Sequence, residues 1–167
     1  TDDGLIALAK KCPDLEIINI GNTGITDRGV IKLAKNCDKL KEVYMNGLRG
    51  NYTAEISGSH ELNNNGVGDA GVIALAQNCH NLTIVDLQRT SVTNAGVIEL
   101  AHNCPKLTDL YLSDNSNITI EGSVDEIIKK CEKLKYLYIS GTGIQEEDIN
   151  NILKKYDRKG IKVFNDV

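Results

Sequence analysis

The sequence predicts an α/β solenoid in which a parallel sheet lines the concave side and helices cover the convex side. Three observations carry this. The first is an apolar stripe at i, i+3, i+4 and i+7, the spacing of one helical face: Val30, Leu33, Ala34 and Cys37. It recurs as Leu5/Leu8/Ala9/Cys12, Val72/Leu75/Ala76/Cys79, Val97/Leu100/Ala101/Cys104 and Val124/Ile127/Ile128/Cys131, and with Tyr156 in the cysteine's place as Ile149/Ile152/Leu153/Tyr156. The second is the segment after each cysteine, x-x-Leu-x-x-apolar-x-apolar, which alternates as a half-buried strand does. Its copies are Leu15/Ile18/Ile20, Leu40/Val43/Met45, Leu82/Val85/Leu87, Leu107/Leu110/Leu112 and Leu134/Leu137/Ile139. The third is the cysteine spacing: 25 (Cys12 to Cys37), 42 (to Cys79), 25 (to Cys104) and 27 (to Cys131), the second being one period plus 17 residues.

A unit of this length with Leu-x-x-Leu-x-Leu character is the signature of a leucine-rich-repeat solenoid, with a strand and a helix in each turn. No unit can bury its apolar edge alone, so neighbours stack and share one elongated core. Six strands about 4.8 Å apart make a sheet roughly 29 Å long in the stacking direction.

In chain order, Thr1-Asp2-Asp3-Gly4 aligns with Thr26-Asp27-Arg28-Gly29 inside a repeat, with no initiator Met before it. The expectation is a single leucine-rich-repeat domain over 1–167, a fragment of a longer chain whose N-terminal part is missing. Thr26, Asp69, Thr93 and Thr119 are the candidate helix caps. Acidic residues such as Asp27 and Glu146 gather at helix starts, and lysines such as Lys10, Lys11, Lys35, Lys129, Lys130, Lys154 and Lys155 gather at helix ends. That distribution suits the helix dipole and a solvated convex surface. Residues 47–64 form the insertion, a Gly-, Asn- and Ser-rich surface loop that leaves the second strand. Loops of this length are binding elements or tolerated excursions, and the sequence leaves both open. The chain closes on Gly160-Ile161-Lys162-Val163-Phe164, a sixth strand one residue out of phase with the template, with Ile161 and Val163 pointing inward. Tyr156 and the lost Leu position give this last unit the character of a terminal capping repeat.

Composition narrows the function. With 167 residues the chain is one domain with a core of its own. A net charge of −4 and the lack of a basic stripe interleaved with aromatics argue against nucleic acid. No apolar run is long enough to span a membrane, and no signal-peptide pattern is present. Five cysteines, an odd number at one phase of a buried stripe, read as reduced core thiols. They point to an intracellular setting, cytoplasmic or nuclear. Their spacing offers no pair close enough for a zinc site. The sequons at Asn51, Asn81 and Asn117 read as coincidences in an Asn-rich chain.

The positions between the core residues of each strand form the concave face, in two columns. One is Asn19, Tyr44, Asp86, Tyr111, Tyr138; the other is Ile17, Glu42, Ile84, Asp109, Tyr136. Four of the six tyrosines fall here, beside Glu42, Asp86 and Asp109. Tyr is enriched at interface hot spots, because it offers a large contact area with one polar tip. The candidate partner-binding residues are therefore Tyr44, Tyr111, Tyr136, Tyr138, Glu42, Asp86, Asp109 and Asn19, with Tyr136 and Tyr138 beside Tyr111 as anchors and a protein or peptide as partner. No catalytic residue, metal ligand or cofactor is expected. His60, His80 and His102 have no nucleophile at motif spacing, and the glycines of Gly21-Asn22-Thr23-Gly24 and Gly141-Thr142-Gly143 are corner turns.

The combination Ile25-Thr26-Asp27-x-Gly29-Val30, Leu33-Ala34 and Cys37-x-x-Leu40 resembles the cysteine-containing leucine-rich-repeat subfamily over nearly the whole chain. The resemblance implies F-box/leucine-rich-repeat proteins, substrate receptors of cullin-based ubiquitin ligases whose solenoid holds the substrate. It implies adaptor binding through an F-box in a missing N-terminal part. Similar repeats in structural subunits imply the alternative, a scaffold in a large ciliary or cytoskeletal assembly.

Overall fold

The computed structural model describes residues 1–47 and 66–165. Helices and strands alternate along them: α1 (Asp2–Lys11), β1 (Ile17–Asn19), α2 (Asp27–Asn36), β2 (Glu42–Tyr44), α3 (Asp69–Asn78), β3 (Ile84–Asp86), α4 (Asn94–Asn103), β4 (Asp109–Tyr111), α5 (Asp125–Lys130), β5 (Tyr136–Tyr138), α6 (Glu146–Lys155) and β6 (Lys162–Phe164). The strands form one parallel sheet in sequence order, β1 to β6. This is the α/β repeat solenoid that the periodicity predicts.

Each strand is three residues long and carries one inward side chain. Ile18, Val43, Val85 and Leu110 align with Leu137 and Val163 across the sheet, the first five fully or almost fully buried. The second inward position (Ile20, Met45, Leu87, Leu112, Ile139) is buried as well, and the helical stripes close over both. The end units are less covered: Ile152 and Leu153 of α6 are half-buried, and Leu8 is 43% exposed against 0% for its counterparts Leu33, Leu75 and Leu100, because among the described residues no unit packs on the outer side of α1. Cys12 is half-buried for the same reason.

Two side-chain ladders join successive units. In the first, a thiol reaches the carbonyl at the helix-to-strand corner of the preceding unit, which also accepts the N–H of the leucine three residues on. Cys37 Sγ donates to the Cys12 carbonyl at 3.3 Å, Cys79 to that of Cys37 at 3.5 Å, and Cys104 to that of Cys79 at 4.0 Å. Burial pushes Cys79, Cys104 and Cys131 up to about 12 and raises Cys37, so these thiols stay protonated. In the last unit Arg158 takes over this duty: Nη1 donates to the Ile128 carbonyl at 2.6 Å and Nη2 to the Cys131 carbonyl at 2.7 Å.

The second ladder stands at the helix N-termini. Asp2 accepts from the N–H (2.8 Å) and hydroxyl (2.7 Å) of Thr26. Asp27 accepts from the N–H groups of Gly68 and Gly71. Asp69 accepts from the N–H and hydroxyl of Thr93 and from the N–H of Gly96. A carboxylate at the start of one helix thus satisfies the free N–H groups of the next. Gly96 is required by this approach: a Cβ there would sit 2.8 Å from Asp69 Oδ1 and 2.8 Å from Val92 Cγ2. The capping expectation is corrected at two positions. Thr119 precedes the turn Ile120–Val124 and makes no side-chain cap hydrogen bond, and the N-cap of α5 is Val124. Thr26 and Thr93 are N-caps, accepting from Arg28 N–H and Ala95 N–H, but the N-cap of α3 is Gly68 and Asp69 is its first helical residue, turned toward the following unit.

The longer 104-to-131 interval is absorbed in two places. One residue is added between Leu112 and Ile118, and another in the turn Ile120–Val124, where Gly122 has a φ of +85° and breaks the helix before α5. In the last unit the extra residue is taken up at Asp157 (φ +51°), so β6 pairs in phase with β5, Lys162 opposite Tyr136. Ile161 is buried and Val163 half-buried. The insertion expected at 47–64 lies outside the described residues except for Gly47, which still belongs to the repeat. Its N–H donates to the Gln88 carbonyl at 2.8 Å, and a Cβ would meet the Arg89 carbonyl oxygen at 2.0 Å.

Candidate interaction surface on the open face of the sheet

A strand with one residue aimed at the core aims its two neighbours the other way. The parallel register then stacks those neighbours into two columns on the face that the helices leave open. One runs Ile17, Glu42, Ile84, Asp109, Tyr136, Lys162 and the other Asn19, Tyr44, Asp86, Tyr111, Tyr138, Phe164. All eight sequence-predicted residues stand in these columns. The tyrosines are half-buried rather than exposed, because side chains one strand apart cover one another's flanks. Ile17 at the β1 edge is 55% exposed.

The second column ends in an aromatic stack. The rings of Tyr111 and Tyr138 lie 4.2 Å apart and those of Tyr138 and Phe164 4.3 Å apart, each pair within 6° of parallel. Tyr136 stands beside this stack, 6.5 Å from Phe164, with Lys162 Nζ 5.7 Å from its ring centroid. Phe164 and Lys162 are not among the sequence-predicted site residues, although the inward placement of Ile161 and Val163 already turns both toward the open face. The signal that finds both is the tyrosine column itself, continued one strand further.

The rest of the face is acidic. The hydroxyl of Tyr44 donates to Glu42 Oε2 at 2.8 Å. This bond, then burial and the charges of Glu42, Asp109 and Asp86, raise the Tyr44 phenol. Burial pushes Tyr111 up to about 12, with the adjacent Tyr138 hydroxyl adding to it. Burial also raises the Asp86 carboxyl, offset in part by the Gln88 N–H and by Arg89. Two of the predicted residues hold turns as well: Asn19 Oδ1 accepts from Gly21 N–H and Asp86 Oδ1 from Gln88 N–H, both at 3.0 Å. Asp109 accepts from the Thr108 hydroxyl at 2.5 Å.

Among the described residues no group of His, Cys, Asp and Glu is arranged to hold a metal ion. None of the helices described is long and apolar enough to cross a membrane. The surface offers rings, carboxylates and hydroxyls on a rigid sheet, which suits it to contact with another chain.

Comparison with known proteins agrees with this architecture. The leucine-rich repeat family model matches residues 11–34, 61–76 and 78–101, so the chain carries leucine-rich repeats, a type of module that binds proteins. A search of curated protein sequences finds no match. Among solved structures, the tropomodulin C-terminal domain from Caenorhabditis elegans is similar at a TM-score of 0.61 and 14% identity, over 94% of this chain and 92% of that one. Leiomodin-1 actin-binding site 2 is similar at a TM-score of 0.58 and 15% identity, over 94% and 90%. A chain of the yeast Rad7–Elc1 complex is similar at a TM-score of 0.56 and 19% identity, over 98% of this chain and 47% of that one. At these identities the likeness concerns the fold.

Proposed function

We propose that the chain is a non-catalytic recognition module that binds a protein or peptide on the open face of its sheet. The observation that carries this reading is the aromatic stack of Tyr111, Tyr138 and Phe164, which none of the described helices covers and which shares its face with Glu42, Asp86 and Asp109. Large half-buried rings on a rigid frame are what interface hot spots are made of. Within the full protein the module presents its partner for ubiquitin transfer, as the substrate-recognition repeats of an F-box-type receptor. The cysteine-containing repeat pattern supports that role, and the likeness to a chain of the Rad7–Elc1 complex is compatible with it. The reduced thiols favour an intracellular setting.

The test is capture of partners by the Tyr111→Ala/Tyr138→Ala variant against a variant with Lys35 and Lys129 changed to Ala on the helices. Loss in the first and retention in the second is expected. Equal capture by both would remove the open face as the binding surface. Co-purification of a cullin adaptor with the full reading frame tests the ligase role. The second reading, a scaffold in a cytoskeletal assembly, draws on the likeness to leiomodin-1 actin-binding site 2. Co-sedimentation with actin filaments, unaffected by the tyrosine changes, would favour it.

A further inference from the structure

The column Tyr44, Asp86, Tyr111, Tyr138, Phe164 is aromatic at every rung but one. Asp86 stands directly between two tyrosines, opposite Tyr44 on one side and Tyr111 on the other. Where rungs are filled, neighbouring rings sit 4.2 and 4.3 Å apart. Across the Asp86 rung, Tyr44 and Tyr111 are two strand spacings apart, about 9.6 Å at the backbone. A flat group sandwiched between two rings needs two van der Waals contacts of about 3.5–4.0 Å, or roughly 7–8 Å in all. The register thus leaves the rung between Tyr44 and Tyr111 without a ring, a spacing close to what one planar group needs, and places the Asp86 carboxylate there.

The charge of the gap selects the group. Asp86, Asp109 and Glu42 all act on the Tyr44 hydroxyl, so three carboxylates converge on this part of the face. Among the described residues the cations near it are engaged elsewhere: Arg89 Nε is paired with Asp114 Oδ2 at 3.0 Å, and Lys162 Nζ lies over the Tyr136 ring on the last strand. Burial raises the Asp86 carboxyl, and the Gln88 N–H and the Arg89 charge offset this only in part.

We propose that this gap seats an arginine side chain of a basic, extended segment of the partner, its guanidinium stacked between Tyr44 and Tyr111 and hydrogen-bonded to Asp86. Guanidinium is planar, weakly hydrated and able to stack on rings while its edge donates to a carboxylate; an ammonium can do only the last of these. Glu42 and Asp109 attract neighbouring basic residues of the same segment. The assignment rests on the open face being the partner surface and adds the chemistry of what enters it.

The probe is the blocked tripeptide Gly-Arg-Gly, titrated into the chain carrying carbon-13 tyrosine, with Gly-citrulline-Gly and Gly-Lys-Gly as controls. Citrulline keeps the plane and removes the charge. Single Tyr→Phe variants assign the ring signals. Saturable shifts centred on Tyr44 and Tyr111 are expected, with binding about tenfold weaker for citrulline and weaker for lysine. Asp86→Asn keeps the oxygen that holds Gln88 N–H, so the fold survives while arginine binding falls about tenfold. Equal titration by citrulline, an unchanged affinity in Asp86→Asn, shifts confined to Tyr136 and Tyr138, or no saturation at tens of millimolar would each overturn the assignment. Partner capture separates this from the broader reading. Capture that survives Asp86→Asn but is lost in Tyr111→Ala/Tyr138→Ala removes the arginine seat and leaves the open face as the binding surface.

Discussion

Asp69 bridges the third and fourth helices, and its removal has a calculable effect. The carboxylate accepts three hydrogen bonds across the inter-repeat boundary: Thr93 N–H at 2.8 Å, Thr93 O–H at 2.6 Å and Gly96 N–H at 3.0 Å. In Asp69→Ala two part-buried N–H groups at the start of α4 lose their partner, and the helix dipole loses its facing charge. At about 1 kcal/mol for each abandoned bond and up to about 1 kcal/mol for the dipole, the loss comes to roughly 2–4 kcal/mol. The molecule contains its own control. One unit later Asn94 performs the same task with an amide, Oδ1 accepting from Thr119 N–H at 2.9 Å and Nδ2 donating to Thr119 Oγ1 at 2.7 Å. Asp69→Asn should therefore keep most of the bonds and lose only about 0.5–1 kcal/mol. Urea unfolding monitored by circular dichroism reads both. Because solenoid stability resides in interfaces between neighbours, Asp69→Ala should also broaden the transition and lower its apparent slope. If both variants fell by the same amount, or if Asp69→Ala stayed within about 0.5 kcal/mol of the parent, the bridging role of the carboxylate would be wrong.

Other perturbations probe the remaining parts. Alkaline pH should destabilise the fold. The ordinary thiol value is 9.0 and the folded value of Cys79, Cys104 and Cys131 is about 12, so the stabilisation is complete below 9 and declines as pH rises toward 12. At pH 10 each of the three costs about 1.4 kcal/mol, and Cys104→Ala should flatten the pH dependence of urea unfolding by about a third. Native-state labelling with a thiol reagent should modify Cys12 first, with Cys37, Cys79, Cys104 and Cys131 reacting only as the chain opens; uniform reactivity would contradict the buried ladder. Arg158→Ala removes two hydrogen bonds, leaving the Cys131 carbonyl only the Leu134 N–H, and should lose about 2 kcal/mol, with faster amide exchange confined to α5 and α6. Tyr138→Ala breaks two stacked ring pairs, for about 1–3 kcal/mol beyond lost area, and should collapse the near-ultraviolet dichroism without altering the far-ultraviolet spectrum.

Much of the architecture is visible in the letters because a solenoid writes it several times over. The spacing from Cys37 to Leu40 to Val43 sets helix, corner and strand for each unit, and the period-2 rule then places Tyr44, Tyr111, Tyr136 and Tyr138 on the open face before any coordinate is known. The exceptions are instructive. Asp69 looks like an N-cap because its type and position suit one, yet caps act through space, and the carboxylate finds the N–H groups of the next unit nearer than those of its own. The phase shift that turns Ile161 and Val163 inward is legible in the sequence, yet only strand pairing shows that the extra residue is taken up at Asp157 and that Phe164 extends the tyrosine column.

The sequence by itself determined the repeat, its inward residues and which strand positions face away from the helices, since those come from periods of 3.6 and 2 within one unit. Tertiary structure alone decided what lies between units: the thiol-to-carbonyl ladder, its replacement by Arg158, the carboxylate bridges, and the ring stack of Tyr111, Tyr138 and Phe164. These contacts join residues about one repeat apart, and their geometry depends on the register of stacked turns rather than on the pattern inside any one of them.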